Sequence, residues 1–163
     1  MTRSTKVAIV SVLALGMLAV GATGAMAAAP KFHSATASIN NAGALVVSFD
    51  ERGLGNENID YTLTADAEAT YACINRGGHN PAAANKRTFN DDVSGGGTFQ
   101  AKNGRVQASL SAGPISAGDF SCPGGQRLVL ASVSYSNIVL TDTTNNVSTG
   151  VTPDPISRTF FNV

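Results

Sequence analysis

The sequence predicts an all-β fold, an antiparallel sandwich of two sheets with immunoglobulin-like architecture and one disulfide. Three observations support this prediction. Segments in which apolar and polar residues alternate recur at short spacing, and no stretch beyond residue 27 keeps a helical period. Asn, Gly and Pro residues, which favour turns, separate these segments. The chain also contains two cysteines, Cys73 and Cys122, which can pair with each other.

The first 27 residues predict a signal peptide. Arg3 and Lys6 precede an uncharged apolar stretch, residues 7–20, and the chain then reaches Ala25-Met-Ala27, the small-x-small pattern that signal peptidase recognises. The alternative is a membrane anchor, but a spanning helix needs ~20 apolar residues and this stretch is shorter. We therefore expect cleavage after Ala27, leaving residues 28–163 as a single secreted, extracellular domain.

The charge of the predicted mature chain argues against two classes of partner. Removal of residues 1–27 takes away two of the 11 basic side chains and none of the 11 acidic ones, which leaves a net charge of −2 with the histidines neutral. Such a balance provides no positive field for nucleic acid or for an anionic membrane. We therefore expect no nucleic-acid partner, no membrane association after cleavage, and a monomer.

The two cysteines predict a disulfide. In an oxidising compartment, two lone cysteines in a small domain usually pair, and the loop between Cys73 and Cys122 spans 49 residues. Closing such a loop contributes roughly 4 kcal/mol on the chain-entropy account. The alternative, a reactive thiol, lacks a Cys-x-x-Cys motif. An antibody-type domain would place the partner of Cys73 earlier and add a core Trp, and this chain has neither feature.

The first half of the mature chain predicts strands joined by polar turns. Lys31–Ile39 alternates weakly, residues 40–43 favour a hairpin turn, and residues 44–49 alternate again. A polar, Gly-containing segment, residues 51–58, predicts a loop.

The longest alternating run of the chain follows. Its apolar residues occupy every second position, and the last of these positions is a cysteine. Because the side-chain period of a strand is two, one face of this run packs on a core and the other meets water. The run exceeds an ordinary strand, so we expect a bend near Asp66 and an inward-pointing Cys73 sulfur. The apolar parity comprises Tyr61, Leu63, Ala65, Ala67, Ala69, Tyr71 and Cys73.

The second half predicts strands at residues 87–93, 105–110, 127–142 and 158–162. Asn103-Gly104 favours a hairpin turn between flanking strands. Within residues 127–142 the apolar parity changes near Ser136-Asn137, which indicates a bulge or a break.

The segment from Asn75 to Lys86 concentrates unusual polar chemistry. Asn80-Pro81 followed by alanines predicts one helical turn. On one interpretation the segment is a structured connection whose Asn side chains satisfy backbone groups. On the other it is a binding loop set on a rigid, disulfide-tied sheet. Its candidate binding residues are Asn75, Arg76, His79, Asn80, Asn85 and Lys86.

Two motifs stand out in the chain, and the first of them includes this segment. The first is Tyr-x-Cys-x-Asn-x-Gly-Gly followed by Pro-x-x-Ala-Asn-Lys, and the second is Ser-Cys-Pro-x-Gly-Gln leading into Leu-x-Leu-x-x-Val. Here they are Tyr71, Cys73, Asn75, Gly77, Gly78, Pro81, Ala84, Asn85 and Lys86, then residues 121–126 and 128–133. In these motifs the chain resembles a group of small exported bacterial β-sandwich proteins. The resemblance covers most of the mature chain and implies export, a sandwich and a disulfide. It gives no information about an activity.

The residue inventory argues against catalysis and metal binding. A Ser-His-Asp arrangement would have to use His33 or His79, and no Gly-x-Ser-x-Gly elbow is present. Asp91 and Asp92 are adjacent, so in a strand they point to opposite faces and cannot flank one substrate. With the cysteines paired, zinc lacks ligands, and no loop has the calcium spacing of an EF-hand. We expect no catalytic residue, no metal and no cofactor.

Two functional hypotheses follow. The first is an exported non-catalytic module that binds an extracellular ligand, protein or glycan, or serves as an accessory or surface-associated component. The alternative is a small secreted hydrolase that uses His79, which would have to lie in a pocket within hydrogen-bonding reach of a serine and a carboxylate.

Overall fold

The computed structural model of the chain describes residues 29–75 and 85–163. The predicted signal peptide, residues 1–27, lies outside this range, as do Arg76, His79, Asn80 and the helical turn expected at Asn80-Pro81. The described residues form eight strands. In chain order they are β1 (Lys31–Ile39), β2 (Leu45–Arg52), β3 (Asn58–Asn75), β4 (Lys86–Gln100), β5 (Arg105–Ala112), β6 (Gln126–Asp142), β7 (Val147–Gly150) and β8 (Ile156–Thr159).

The strands form two antiparallel sheets packed face to face, which confirms the predicted sandwich. Sheet A has the order β1-β2-β5. Sheet B has the order β4-β3-β6-β7, and β8 pairs with β6 on the same side as β7. The part of the chain that the structure describes contains no helix long and apolar enough to cross a membrane.

The core lies between the two sheets and follows the predicted alternation. The odd-numbered side chains of β3 from Tyr61 to Ala69 are buried, because they point toward sheet A. Phe49 of β2 packs against Tyr61 with ring centroids 4.7 Å apart. At the end of β3, however, Ala72, Cys73 and Ile74 are all buried. Both faces of the strand are therefore covered there, and strict alternation ends.

The predicted bend near Asp66 and the predicted bulge near Ser136-Asn137 are the same feature. In the β3–β6 pairing, Thr64 lies opposite Val139 and Asp66 lies opposite Ser136. Two residues of β6 therefore face the single residue Ala65. Asn137 adopts a positive φ of 52°, which Asn tolerates better than most residues. Such a bulge bends the strand and increases its twist.

The Asn103-Gly104 turn forms as predicted, but it does not close a hairpin within one sheet. Lys102 and Arg105 exchange backbone hydrogen bonds of 2.9 and 3.1 Å around two residues with positive φ. However, β4 pairs with β3 in sheet B and β5 pairs with β2 in sheet A. The turn therefore carries the chain from one sheet to the other.

The predicted disulfide is confirmed. Cys73, at the end of β3, bonds to Cys122 in the connection between β5 and β6, with the two Cα atoms 5.5 Å apart. Cys73 is buried, as its parity predicted, and Cys122 is half-buried. The bond anchors the β5–β6 connection to the end of sheet B from which the candidate binding loop leaves.

Candidate functional site

Two residues of the candidate binding loop meet at the end of sheet B through Gln126, which belongs to the second sequence motif but was not among the candidate binding residues. Gln126, the first residue of β6, lies opposite Asn75, the last residue of β3. The Gln126 side-chain amide donates to Asn75 Oδ1 at 3.1 Å, and Asn85 Nδ2 donates to Gln126 Oε1 at 3.3 Å. We call Asn75, Asn85 and Gln126 the amide cluster. It holds both ends of the segment 76–84 on the sheet.

The remaining candidate residues of the loop are not part of this cluster. The Lys86 ammonium donates to the main-chain oxygen of Val163 at 3.2 Å, so it points toward the C-terminal segment. Arg76, His79 and Asn80 lie outside the described residues. The alternative hypothesis of a hydrolase depends on His79, and it remains a prediction.

A shallow polar groove starts beside Lys86 and runs along the outer face of sheet B. Three adjoining depressions form it, with volumes of about 310, 450 and 300 Å³. Its floor is the water-facing parity of β3, bordered by β4 and β6. Its principal side chains are Thr64, Asp66, Glu68, Thr70, Thr88, Asn90, Asp92, Ser132, Ser134 and Ser136.

The pairing of the strands arranges these side chains in rows across the sheet. Thr70 lies between Thr88 and Ser132, Glu68 between Asn90 and Ser134, and Asp66 between Asp92 and Ser136. Successive rows are about 7 Å apart because each row is two residues further along the strand. Hydroxyl, amide and carboxylate groups alone face solvent in these three rows. The groove therefore suits an extended ligand rich in hydrogen-bonding groups.

The carboxylates of the groove are not neutralised by basic side chains. Asp66 lies directly opposite Asp92, and like charges in such cross-strand pairs destabilise a sheet. Among the described residues, none of Asp66, Glu68 and Asp92 forms an ion pair. Asp66 accepts a hydrogen bond of 2.6 Å from the neutral Asn137 amide. The groove thus keeps an uncompensated negative charge.

Asp50 in sheet A differs from the acids of the groove, because two arginines neutralise its charge. Asp50 accepts two hydrogen bonds of 2.7 Å from Arg105 and two, of 3.0 and 3.5 Å, from Arg52. These guanidinium groups, Arg105 first, hold the pKa of Asp50 well below its ordinary value. The two arginines lie directly opposite each other on β2 and β5, so the carboxylate also relieves their mutual repulsion. Among the described residues, no basic side chain forms such an ion pair with Asp66, Glu68 or Asp92.

A second pair of carboxyl groups lies between the sheets and is closed to substrate. Glu51 was expected in a loop, but it belongs to β2 and is fully buried, as is Asp142 of β6. The Tyr61 hydroxyl donates to Glu51 Oε2 at 2.7 Å. Burial raises the pKa of Glu51 to about 7 against the opposing effect of the Tyr61 hydrogen bond, and Asp142 raises it further. Because neither carboxyl is exposed, this pair is part of the core.

The described residues show no arrangement for metal or acid–base chemistry at the surface. No three His, Cys, Asp or Glu side chains within residues 29–75 and 85–163 are grouped so that they could hold a metal ion. His33 is exposed on β1 of sheet A, in the sheet opposite the groove. Asp91 and Asp92 lie on opposite faces of β4, as adjacent strand residues must.

Comparison of the chain with models of protein families, with curated proteins and with solved structures finds no match. The groove and the amide cluster are therefore the features of the molecule that bear on its function.

Proposed function

We propose that this chain is an exported, non-catalytic binding module whose ligand is an extended extracellular molecule, a glycan or a peptide segment, that carries amino groups. The ligand lies in the polar groove of sheet B, and the loop between Asn75 and Asn85 contacts one end of it. In this role the protein acts as an accessory or surface-associated component outside the cell.

One observation carries the proposal: the groove places Asp66 directly opposite Asp92, next to Glu68, with no basic side chain of the described residues against them. This arrangement costs the sheet stability, so sheet stability does not account for it. A ligand with amino groups would offset the repulsion, and the rows of hydroxyl and amide groups would hydrogen-bond its polar atoms.

Two further features support the proposal. The groove is open and shallow, which suits a polymer chain lying along β3 rather than a small molecule enclosed in a pocket. The disulfide and the amide cluster hold the ends of the candidate loop on a rigid sheet, as in many binding loops. The disulfide is also compatible with an oxidising, extracellular environment.

The groove can be tested with charged probes. The mature chain, residues 28–163, would be applied to neutral, acidic and amino-sugar oligosaccharides and to short Lys-rich and Glu-rich peptides. We expect binding to amino-sugar and Lys-rich probes. The double variant Asp66→Asn, Glu68→Gln should weaken that binding by about 2- to 30-fold, because each of the two exposed charge pairs contributes about 0.2–1 kcal/mol.

The matched control is Glu57→Gln, which removes an exposed acid before β3 that does not line the groove. It should bind the cationic probes like the wild-type chain. Binding that the groove variant leaves unchanged, or a preference for acidic probes, would overturn the proposal.

A separate variant tests whether the loop contributes to binding. Arg76→Ala, His79→Ala and Asn80→Ala together should weaken the binding of long probes more than that of short ones, because the loop meets only one end of the ligand. Equal effects on long and short probes would place the loop outside the binding site.

A further inference from the structure

Strand β4 forms one edge of sheet B, and its first half is an open edge. From Lys86 to Val93, β4 forms ladder pairs with β3, and within the described residues no other segment pairs with its outer side. The edge of sheet A at β1 differs, because Thr152 covers it through backbone hydrogen bonds to Ala35 and Ala37. An open edge offers unpaired N–H and C=O groups to another strand.

The charges along this open edge are arranged symmetrically about Phe89. Lys86 and Arg87 precede it, and Asp91 and Asp92 follow it at the same distances, with neutral residues at positions 88 and 90. The four charged side chains are exposed, and Phe89 is half-buried. Read in the opposite direction, the segment therefore presents the complementary charge at each charged position.

We propose that a second copy of this chain pairs with the segment 86–92 in antiparallel orientation, with Phe89 of each copy opposite Phe89 of the other. In this register Arg87 faces Asp91 and Lys86 faces Asp92, each twice. The Arg87–Asp91 pairs lie on one face of the joined sheet and the Lys86–Asp92 pairs on the other, because successive residues of a strand alternate between faces. The two copies of sheet B become one continuous sheet.

The register is specific because the alternatives lose their charge pairs. A slip of two residues places all four charges against neutral side chains. A slip of four residues places Arg87 opposite Arg87 or Asp91 opposite Asp91, and like charges in cross-strand pairs are unfavourable. Only the arrangement centred on Phe89 satisfies every charge of the segment.

The present contacts of these side chains are exchanged when the second copy pairs. Lys86 then gives up its hydrogen bond of 3.2 Å to the main-chain oxygen of Val163, and Asp91 gives up the one of 2.9 Å that it accepts from the Asp92 N–H. Arg87 approaches Asp119 at 3.4 Å, but both side chains are largely exposed, so water screens this pair. The Arg87 guanidinium also lies 4.9 Å from the centre of the Phe89 ring, and Phe89 contacts Tyr71. These contacts hold Arg87 and Phe89 beside the edge where the second copy would meet them.

The proposed pairing is small and therefore weak. Seven residues on each side bury less than the roughly 1,200 Å² of a stable interface, which is typical of transient complexes. We expect a dissociation constant between about 10 μM and about 1 mM, weakened by salt because the ion pairs are exposed. The pairing departs from the monomer expected from the sequence, and it does not depend on the proposed ligand. Lys86 of the second copy would neutralise Asp92 and leave Asp66 and Glu68 to the groove.

Two single charge reversals, Arg87→Asp and Asp91→Arg, test the register. Each variant alone places like charges opposite each other and should self-associate at least tenfold more weakly than the wild-type chain. In an equal mixture, Asp at position 87 of one chain meets Arg at position 91 of the other, and the other three pairs also match. The mixture should therefore regain the wild-type dissociation constant, measured by sedimentation equilibrium.

The control is Lys102→Asp, an exposed charge reversal at the Asn103-Gly104 turn, which should self-associate like the wild-type chain. Thermal unfolding of each variant establishes that it is folded. A wild-type chain that sediments as a monomer up to about 1 mM overturns the proposal. A mixture that associates no better than its two components overturns the register, and with it the charge argument for the second copy.

Discussion

At the scale of single residues, the buried carboxyl pair makes stability depend on pH. Glu51 and Asp142 come from different sheets, and each is fully buried. Asp142 receives two hydrogen bonds from Asn145, of 2.9 and 2.7 Å, whereas Glu51 receives one from Tyr61. Glu51 Oε1 has no hydrogen-bond partner among the described residues. Glu51 is therefore the less satisfied of the two carboxyl groups, and its burial favours the protonated form.

We predict that Glu51→Gln removes a loss of stability between pH 4.5 and pH 7. The pKa of Glu51 rises from its ordinary value of 4.5 to about 7 on folding, so the folded state holds the proton more tightly than the unfolded state. The stability that this proton contributes is complete well below pH 4.5 and falls by about 3 kcal/mol as the pH rises to 7. Urea unfolding of both proteins across this range measures the difference.

The comparison isolates Glu51 because all other titrating groups are shared. The clamp on Asp50 does not interfere, since its lowered pKa affects stability only at more acidic pH. Equal pH slopes for the wild-type chain and Glu51→Gln would contradict the prediction.

At the scale of elements, β4 depends on glycine where it approaches β5. A Cβ atom on Gly95 would collide with the main-chain oxygen of Ser111, and neither backbone can move without disturbing its own sheet. The approach occurs where β4 passes from sheet B toward the turn that leads into sheet A. Glycine therefore permits the two sheets to meet along this side.

We predict that Gly95→Ala destabilises the protein by about 1–3 kcal/mol, the range for overpacking. The matched control is Gly150→Ala on β7, where an added Cβ meets nothing within 4 Å, and its effect should stay within about 0.5 kcal/mol. Unfolding midpoints in urea check both values. Similar midpoints for the two variants would mean that β4 and β5 are further apart than described.

The strands themselves were largely predictable because alternation and turn residues are local. The bulge at Asn137 is an example. It was predicted because the apolar residues of β6 change from odd-numbered to even-numbered positions near Asn137. The partners of the strands were not predictable in the same way. Asn103-Gly104 specifies a tight turn, but whether the flanking strands pair with each other depends on neighbours far away in the chain.

The candidate site was predictable only in part for the same reason. Asn75 and Asn85 were singled out, but Gln126, which joins them, follows 41 residues after Asn85. Asp66 and Glu68 were expected to face water, and they do. Their alignment with Asp92 depends on the register of β3 and β4, which is a property of the sheet. No pattern within a single segment of the sequence predicts which residues of different strands lie in one row.

At the scale of the whole molecule, the disulfide ties the connection between β5 and β6 to sheet B. We predict that Cys73→Ala with Cys122→Ala lowers the free energy of unfolding by about 2–4 kcal/mol. Equilibrium unfolding in urea would compare this variant with the oxidised wild-type chain. The reduced wild-type chain should match the variant, and the variant should not respond to reductant. Coincident unfolding curves for the oxidised and reduced wild-type chain would contradict this expectation.

The order of the strands in sheet B also sets the order of events during synthesis. The longest partner of β3 is β6, and the paired residues are 51 to 81 positions apart, from Asn75 with Gln126 to Tyr61 with Asp142. A growing polypeptide that ends before residue 126 cannot complete this sheet, and contacts of such long range form slowly. Sheet B therefore stays incomplete until most of the chain has been synthesised. A translocation channel must receive an unfolded chain, and this delay would meet that condition if the protein is exported as proposed.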